Sequence, residues 1–190
     1  MSASPSTLPL PLPEEEKTML DRLRSLVRDI PDHPSPGITF RDITPLLRDP
    51  AGLSLAVELM VNPFRDEEVD LVVGAESRGF IFGTALARAL NAGFIPIRKA
   101  GKLPGETISQ DYELEYGHDT LEIHTDAIKS GQRVLMVDDL IATGGTLEAG
   151  VKMIENLGGE LVGITVLIEL RGLEGAKRVE PHPVHAVLRY

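Results

Sequence analysis

No cysteine occurs anywhere in the sequence, which excludes disulfides, thiolate nucleophiles and zinc–cysteine sites and fits a cytoplasmic protein. No apolar run approaches the length of a membrane-spanning helix, so no membrane partner is expected. Positive charge is also in deficit: 19 Lys and Arg stand against 29 Asp and Glu, a net charge of −10. A nucleic-acid surface normally shows a basic footprint, so nucleic acid is not an expected partner either. The opening MSASPSTLPLPLPEEE has no basic region and carries prolines at 5, 9, 11 and 13. It makes a poor signal peptide and a poor helix, and residues 1–13 read as a mobile tail. What remains, residues 14–190, has enough length for one domain with its own core, and the chain is 42% hydrophobic and 25% charged, as ordinary globular proteins are.

From Glu14 to Ile30, the apolar residues Met19, Leu20, Leu23, Leu26, Val27 and Ile30 recur at helical spacing behind an acidic first turn, and Pro31 stops the helix. Residues 31–48, with prolines at 31, 34, 36 and 45, should form an ordered but irregular arm. Asp49 and Pro50 make a good N-cap and first helical residue, so a helix is predicted from Pro50 to about Asn62. Strands are predicted at 69–74, 94–98, 120–124, 133–138 and 160–170, helices at 80–91 and 145–158, and an edge strand at 184–190. Residues 99–118 are too polar and broken for a core and read as a long flexible loop. The alternation of strand and helix predicts an α/β fold, a central, mainly parallel sheet with helices on both faces. Ligands bind beyond the carboxyl ends of such strands, and the breaks at 74–79, 99–118 and 138–146 all follow predicted strands.

The third break, VLMVDDLIATGGTLEAG (134–150), carries the most chemistry. An apolar strand delivers Asp138 and Asp139, then Ala142, Thr143, Gly144, Gly145 and Thr146 lead into a helix, where backbone N–H groups and the helix dipole favour an anion. Neither common nucleotide motif is present: no lysine precedes Thr146, and no G-x-G-x-x-G follows a strand. Two adjacent carboxylates repel each other and a bare phosphate. They suit a ligand that also offers vicinal hydroxyls or a divalent cation. A phosphorylated ribose meets both halves of the motif, and with a diphosphate it would bring magnesium. In the turn GAESRG (74–79), Arg78 could pair with phosphate oxygens in a bidentate way. Arg98, Lys99 and Lys102 cluster positive charge in an acidic chain, although alone they read as a solvated run. His182 and His185 lack a third ligand at suitable spacing and read as structural.

The stretch VLMVDDLIATGGTL is similar to the phosphoribosyl diphosphate signature of the type I phosphoribosyltransferases. The segments PDHPSPGITFRDITPLLRDP, GAESRGFIFG, IRKAGKLPG and LEYG stand in that family's order, so the resemblance covers residues 31–170. It implies the type I phosphoribosyltransferase-like fold, with the arm 31–48 as a hood over the base and 99–118 as a catalytic loop. It also implies that Ala142, Thr143, Gly144, Gly145 and Thr146 hold the 5′-phosphate, while Asp138 and Asp139 face ribose hydroxyls or water on Mg2+. Glu76, Ser77 and Arg78, aided by Arg98, Lys99 and Lys102, would hold the diphosphate, with a cis peptide between Glu76 and Ser77. Thr39, Phe40 and Arg41 would meet the base, although from the residues alone Phe40 reads equally as core. Glu115, with Tyr116 beside it, would handle the base's proton, and Glu113 is the near alternative. The implied activity is transfer of a phosphoribosyl group from phosphoribosyl diphosphate to a purine, in a homodimer. The arm PSPGITFRDITP points to adenine. Another purine, or a non-catalytic sensor of the donor that binds DNA, remains open.

Overall fold

In a computed structural model, which describes residues 13–114 and 117–190, the chain forms two units, Met1–Leu55 and Ala56–Tyr190. The predicted tail through residue 12 and the pair Glu115 and Tyr116 lie outside the described residues.

The first unit opens with a helix, Pro13–Ser25 (α1), whose first turn sets Glu14, Glu15 and Glu16 against the positive end of the helix dipole. The helix ends sooner than its apolar spacing predicts. Arg28–Ile30 (β1) instead pairs antiparallel with Phe40–Asp42 (β2), with Arg28 opposite Asp42. Cross-strand charge decides this: Arg28 donates to Asp42 through Nε at 3.0 Å and Nη2 at 2.5 Å, and Arg41 pairs with Asp29. The arm is therefore only partly irregular, since it holds β2 and a short helix, Thr44–Arg48 (α2). The next helix, Pro50–Val61 (α3), is capped as predicted, with Asp49 Oδ1 accepting from the Gly52 N–H at 2.6 Å.

The second unit contains β3 (Leu71–Ala75), α4 (Gly79–Leu90), β4 (Gly93–Lys99), β5 (Thr107–Leu114), β6 (Gly117–His124), β7 (Arg133–Ile141), α5 (Gly145–Asn156), β8 (Glu160–Glu169) and β9 (Val184–Arg189). They form one seven-stranded sheet in the order β5-β6-β4-β3-β7-β8-β9. The run β4-β3-β7-β8-β9 is parallel throughout, and β6 and β5 extend it as an antiparallel hairpin. Strand alternation divides the core. Leu71, Val73, Val134, Met136 and Ile164 pack on one face with Leu147, Met153 and Ile154 of α5. Val72 and Leu135 point to the other face, the side of α4, where a Cβ on Gly74 would stand 3.2 Å from the Gly79 carbonyl oxygen. On that face, too, the buried Thr165 hydroxyl donates to the Met60 carbonyl at 3.1 Å, and His185 Nε2 lies 3.0 Å from the Leu59 carbonyl oxygen. Burial lowers the His185 pKa, so the ring is a neutral structural donor, as its sequence context suggests.

The predicted loop 99–118 is shorter than expected. Residues 100–106 turn, but Thr107–Leu114 pair residue for residue with Gly117–His124. Among the described side chains of this strand, Ile108 and Tyr112 supply apolar contact to the core, and that alternation is too thin to read against the polar residues between them.

Hydrogen bonds from Thr44, reinforced by Arg28, hold the Asp42 carboxyl down at about 2, against an ordinary value of 3.8. Its contribution to stability is complete above pH 3.8 and disappears as the pH falls through about 2. Asp42→Asn should therefore lower the denaturant midpoint at neutral pH and flatten its fall between those two values, as read from unfolding curves across the acid range.

Candidate functional site

The centre of the site is the carboxyl end of β7, a strand paired on both sides by parallel neighbours. Asp138 and Asp139 are both buried there, 8% and 5% exposed. Asp138 Oδ1 accepts the N–H of Asp139 at 2.8 Å. Burial, and then the neighbouring Asp139 charge, push the Asp138 pKa well up, and burial also raises that of Asp139 against the pull of Arg78. Arg78 Nε stands 3.0 Å from Asp139 Oδ2. That is ion-pair distance without hydrogen-bond alignment, so this buried oxygen makes no hydrogen bond among the described residues. A buried acceptor in that condition is suited to a hydroxyl or water brought by a ligand.

Beyond Ile141 the chain turns through Ala142 and Thr143, both half-buried, to Gly144, which caps α5 at φ 85°. A side chain is disfavoured in that left-handed conformation, which is why glycine stands there. The Glu148 N–H donates to the Gly144 carbonyl at 2.9 Å, the first bond of the helix. The N–H groups ahead of it, through Gly145 and Thr146, have no helical acceptor and face the open end of α5 with the dipole behind them. The loop thus has the local geometry its sequence predicts.

β3 ends beside β7 and contributes Glu76, Ser77 and Arg78. The Glu76–Ser77 peptide is cis, as the resemblance implies. Glu76 Oε2 accepts from Arg98 Nε at 2.9 Å, and Arg98 Nη1 donates to the Lys102 carbonyl at 3.2 Å. The expected cluster of three cations is nevertheless divided. Neighbours on a strand face opposite ways, so Lys99 turns from Arg98 and sets its ammonium 2.7 Å from Asp119 on the hairpin. Lys102 lends Arg98 its backbone, and its side chain is exposed.

Asp119 and Tyr112 were not singled out in the sequence. The Tyr112 hydroxyl lies 3.4 Å from Asp119 Oδ2 and also meets the side chain of Thr146 in the phosphate-type loop. Burial, then Asp119, raise the Tyr112 pKa, so the phenol stays protonated at neutral pH. The alternation of Ile108 and Tyr112 was the available signal, and it shows only once β5 is known to be a strand.

Of the residues expected at the base, Thr39 is exposed and Arg41 pairs with Asp29. Phe40 is half-buried, edge-on to His33 at 5.2 Å between ring centres, and so is not the plain core residue its composition allows. All three belong to the first unit. An open cleft of about 530 Å³ in the second unit is lined by Pro104, Gly105, Glu106, His124, Thr125 and Asp126, none of them a predicted site residue.

The chain matches the phosphoribosyl transferase domain over residues 42–187. It is 60% identical over 168 residues to the adenine phosphoribosyltransferase of Rhodopirellula baltica, covering 88% of this chain and 82% of that one. The crystal structure of adenine phosphoribosyltransferase from Rhodothermus marinus superposes with a TM-score of 0.88 at 54% identity, covering 92% and 99% of the two chains. That of the Saccharomyces cerevisiae enzyme, complexed with an imino-altritol bisphosphate and adenine, gives 0.86 at 39% identity, covering 90% and 99%.

Because the Asp138 pKa is raised in the folded chain, ionising it costs stability as the pH climbs through that raised value. Asp138→Asn should make the ligand-free protein more stable near pH 8, with a higher Tm than the parent. The gain should vanish below pH 3.8, where both states are protonated. Thermal melts of the two proteins across pH provide the measurement.

Proposed function

The chain belongs to the phosphoribosyl transferase family and transfers the 5-phosphoribosyl group of phosphoribosyl diphosphate to N9 of adenine, giving AMP and diphosphate; on that premise we propose how its residues divide the work. The observation that carries the reading is the Thr/Gly loop that opens α5 directly behind two buried carboxylates. Ala142, Thr143, Gly144, Gly145 and Thr146 take the 5′-phosphate on backbone N–H groups and hydroxyls. Asp138 and Asp139 accept hydrogen bonds from the ribose hydroxyls, a role supported by Asp139 Oδ2, which accepts no hydrogen bond among the described residues. Arg78 stands beside them as the bidentate partner for diphosphate oxygens, and Arg98 orients Glu76 at the same turn. The division of the basic residues at β4 assigns Lys99 a lesser part, since its charge is already met by Asp119.

The residues fit magnesium in one way only. Among the described residues no group of three potential ligands converges, so the ion would arrive with phosphoribosyl diphosphate, and Asp138 and Asp139 would reach it through ligand and water. Bound in that way, it would neutralise charge on the departing diphosphate.

Catalysis is then mostly placement and protection from water, because the ribosyl C1 becomes positive as diphosphate leaves. Adenine must also lose or shift a proton as N9 attacks. The resemblance assigns that to Glu115, with Thr39, Phe40 and Arg41 at the base. The same resemblance supports a homodimer. The relatives' names favour adenine over the other purines left open by the sequence. A sensor that binds DNA is disfavoured by the net charge of −10.

Incubated with phosphoribosyl diphosphate, magnesium and each purine in turn, the protein should consume adenine alone. Gly145→Val, which places a branched side chain at a buried first helical position, should abolish donor binding in calorimetry while leaving the circular dichroism spectrum intact. Glu115→Gln should lower kcat by roughly 10²–10⁴-fold with donor affinity unchanged. Loss of turnover in Glu113→Gln alone would move the assignment by two residues.

A further inference from the structure

The phosphate loop does not stand alone. β7 and β8 are neighbours, and the Leu170 N–H donates to the Ile141 carbonyl at 3.0 Å, so the segments that follow the two strands leave the sheet side by side. After β8 the chain makes two short 3₁₀ turns, Arg171–Leu173 and Gly175–Val179, joined at Glu174 with φ 53°. That joint turns Gly175 onto the loop. A Cβ placed on Gly175 would overlap the Ala142 carbonyl oxygen and stand 2.8 Å from the Gly144 nitrogen. A Cβ placed on Gly144 would overlap the Gly175 carbonyl oxygen and lie 3.2 Å from Cβ of Arg178. The obstacles are backbone atoms, which cannot swing aside as a flexible side chain can. The contact continues one turn along: Arg178 Nε lies 2.5 Å from Glu148 Oε2 in the first turn of α5. Lys152, at 2.6 Å, and then Arg178 hold the Glu148 carboxyl below its ordinary pKa, so the pair is charged at neutral pH. The loop is therefore gripped at its backbone by Gly175 and at the helix it opens by Arg178.

We propose that Gly175 and Arg178 are positioning residues for donor binding: they fix Ala142–Gly144 and the start of α5 in the conformation that presents the N–H groups to the 5′-phosphate. Neither is in the motif that names the loop, and neither need touch the substrate. The proposal rests on the assignment of residues 142–146 to the phosphate, and the test keeps the two separable. Displacement of the loop by a fraction of an ångström should weaken the ground-state hold on phosphate and leave the chemical step, once the donor is bound, nearly intact.

The experiment compares Gly175→Ala, Arg178→Met and Arg178→Lys with the parent enzyme. Gly172→Ala is the control, because a Cβ there meets nothing within 4 Å. Each is measured for Kd of ribose 5-phosphate and KM of phosphoribosyl diphosphate and adenine, well below its Tm. Gly175→Ala should raise the donor KM and the ribose 5-phosphate Kd by about tenfold or more, with kcat and the adenine KM within about threefold of the parent. Arg178→Met should raise them by a smaller factor, Arg178→Lys should restore most of the loss, and Gly172→Ala should change nothing. A Gly175→Ala protein with a lower Tm and unaltered phosphate affinity would show a purely structural contact and overturn the proposal. Should Gly175→Ala fail to fold, the Arg178 pair decides, and equal affinity in Met and Lys variants overturns it. If Gly145→Val also binds donor normally, the loop assignment itself has failed; if it does not, only the bracing has.

Discussion

Two carboxylates buried side by side at the end of a central strand are costly to keep ionised, and the site is arranged around them. In a medium of low polarity an ionised pair loses hydration and gains mutual repulsion. The protein offsets this only in part. Arg78 reaches Asp139 from the adjoining strand end without a proper hydrogen bond, and Asp138 has its neighbour's N–H. The helix that follows Arg78 also comes in tightly, since a Cβ on Gly79 would stand 2.8 Å from Asp138 Oδ1. Among the described residues, Asp139 Oδ2 is thus left without a hydrogen-bond donor. On the proposed assignment, the hydroxyls of a ribose would supply donors to these carboxylates, which would give affinity and chemical selectivity one origin.

Parallel pairing explains why so few elements suffice. β3, β7 and β8 run in one direction, and the turns that follow them emerge at one end of the sheet. The first brings an arginine, the second the acids and the glycine loop, and the third a brace. The antiparallel pair β5 and β6 adds an edge of a different kind, which reaches back through Tyr112 to Thr146.

The parts of this arrangement that could be read from the sequence are those decided within a few residues. An apolar strand, two acids, a small-residue turn and an amphipathic helix follow one another without interruption, and 134–156 folds as that order predicts. The Asp49 cap is equally local. The readings that failed depended on partners far along the chain. The apolar spacing of α1 continues past Ser25, yet Arg28 finds Asp42 and becomes a strand. The polar stretch after β4 lacks a hydrophobic period because a single sheet partner, β6, supplies its hydrogen bonds. Lys99 belongs to the basic cluster in sequence but to Asp119 in space. Gly175 gives no signal at all, since a close approach of two backbones leaves no pattern in either.

The brace also sets an order of events during synthesis. The ribosome delivers the phosphate loop before it delivers the 3₁₀ turns that press on it. A nascent chain that has released β7 and α5 can already bury the apolar face shared with β3, yet its loop still lacks the backbone of Gly175 against Ala142 and the guanidinium of Arg178 on Glu148. The contacts that hold this loop are therefore completed late in translation, after the core that carries it.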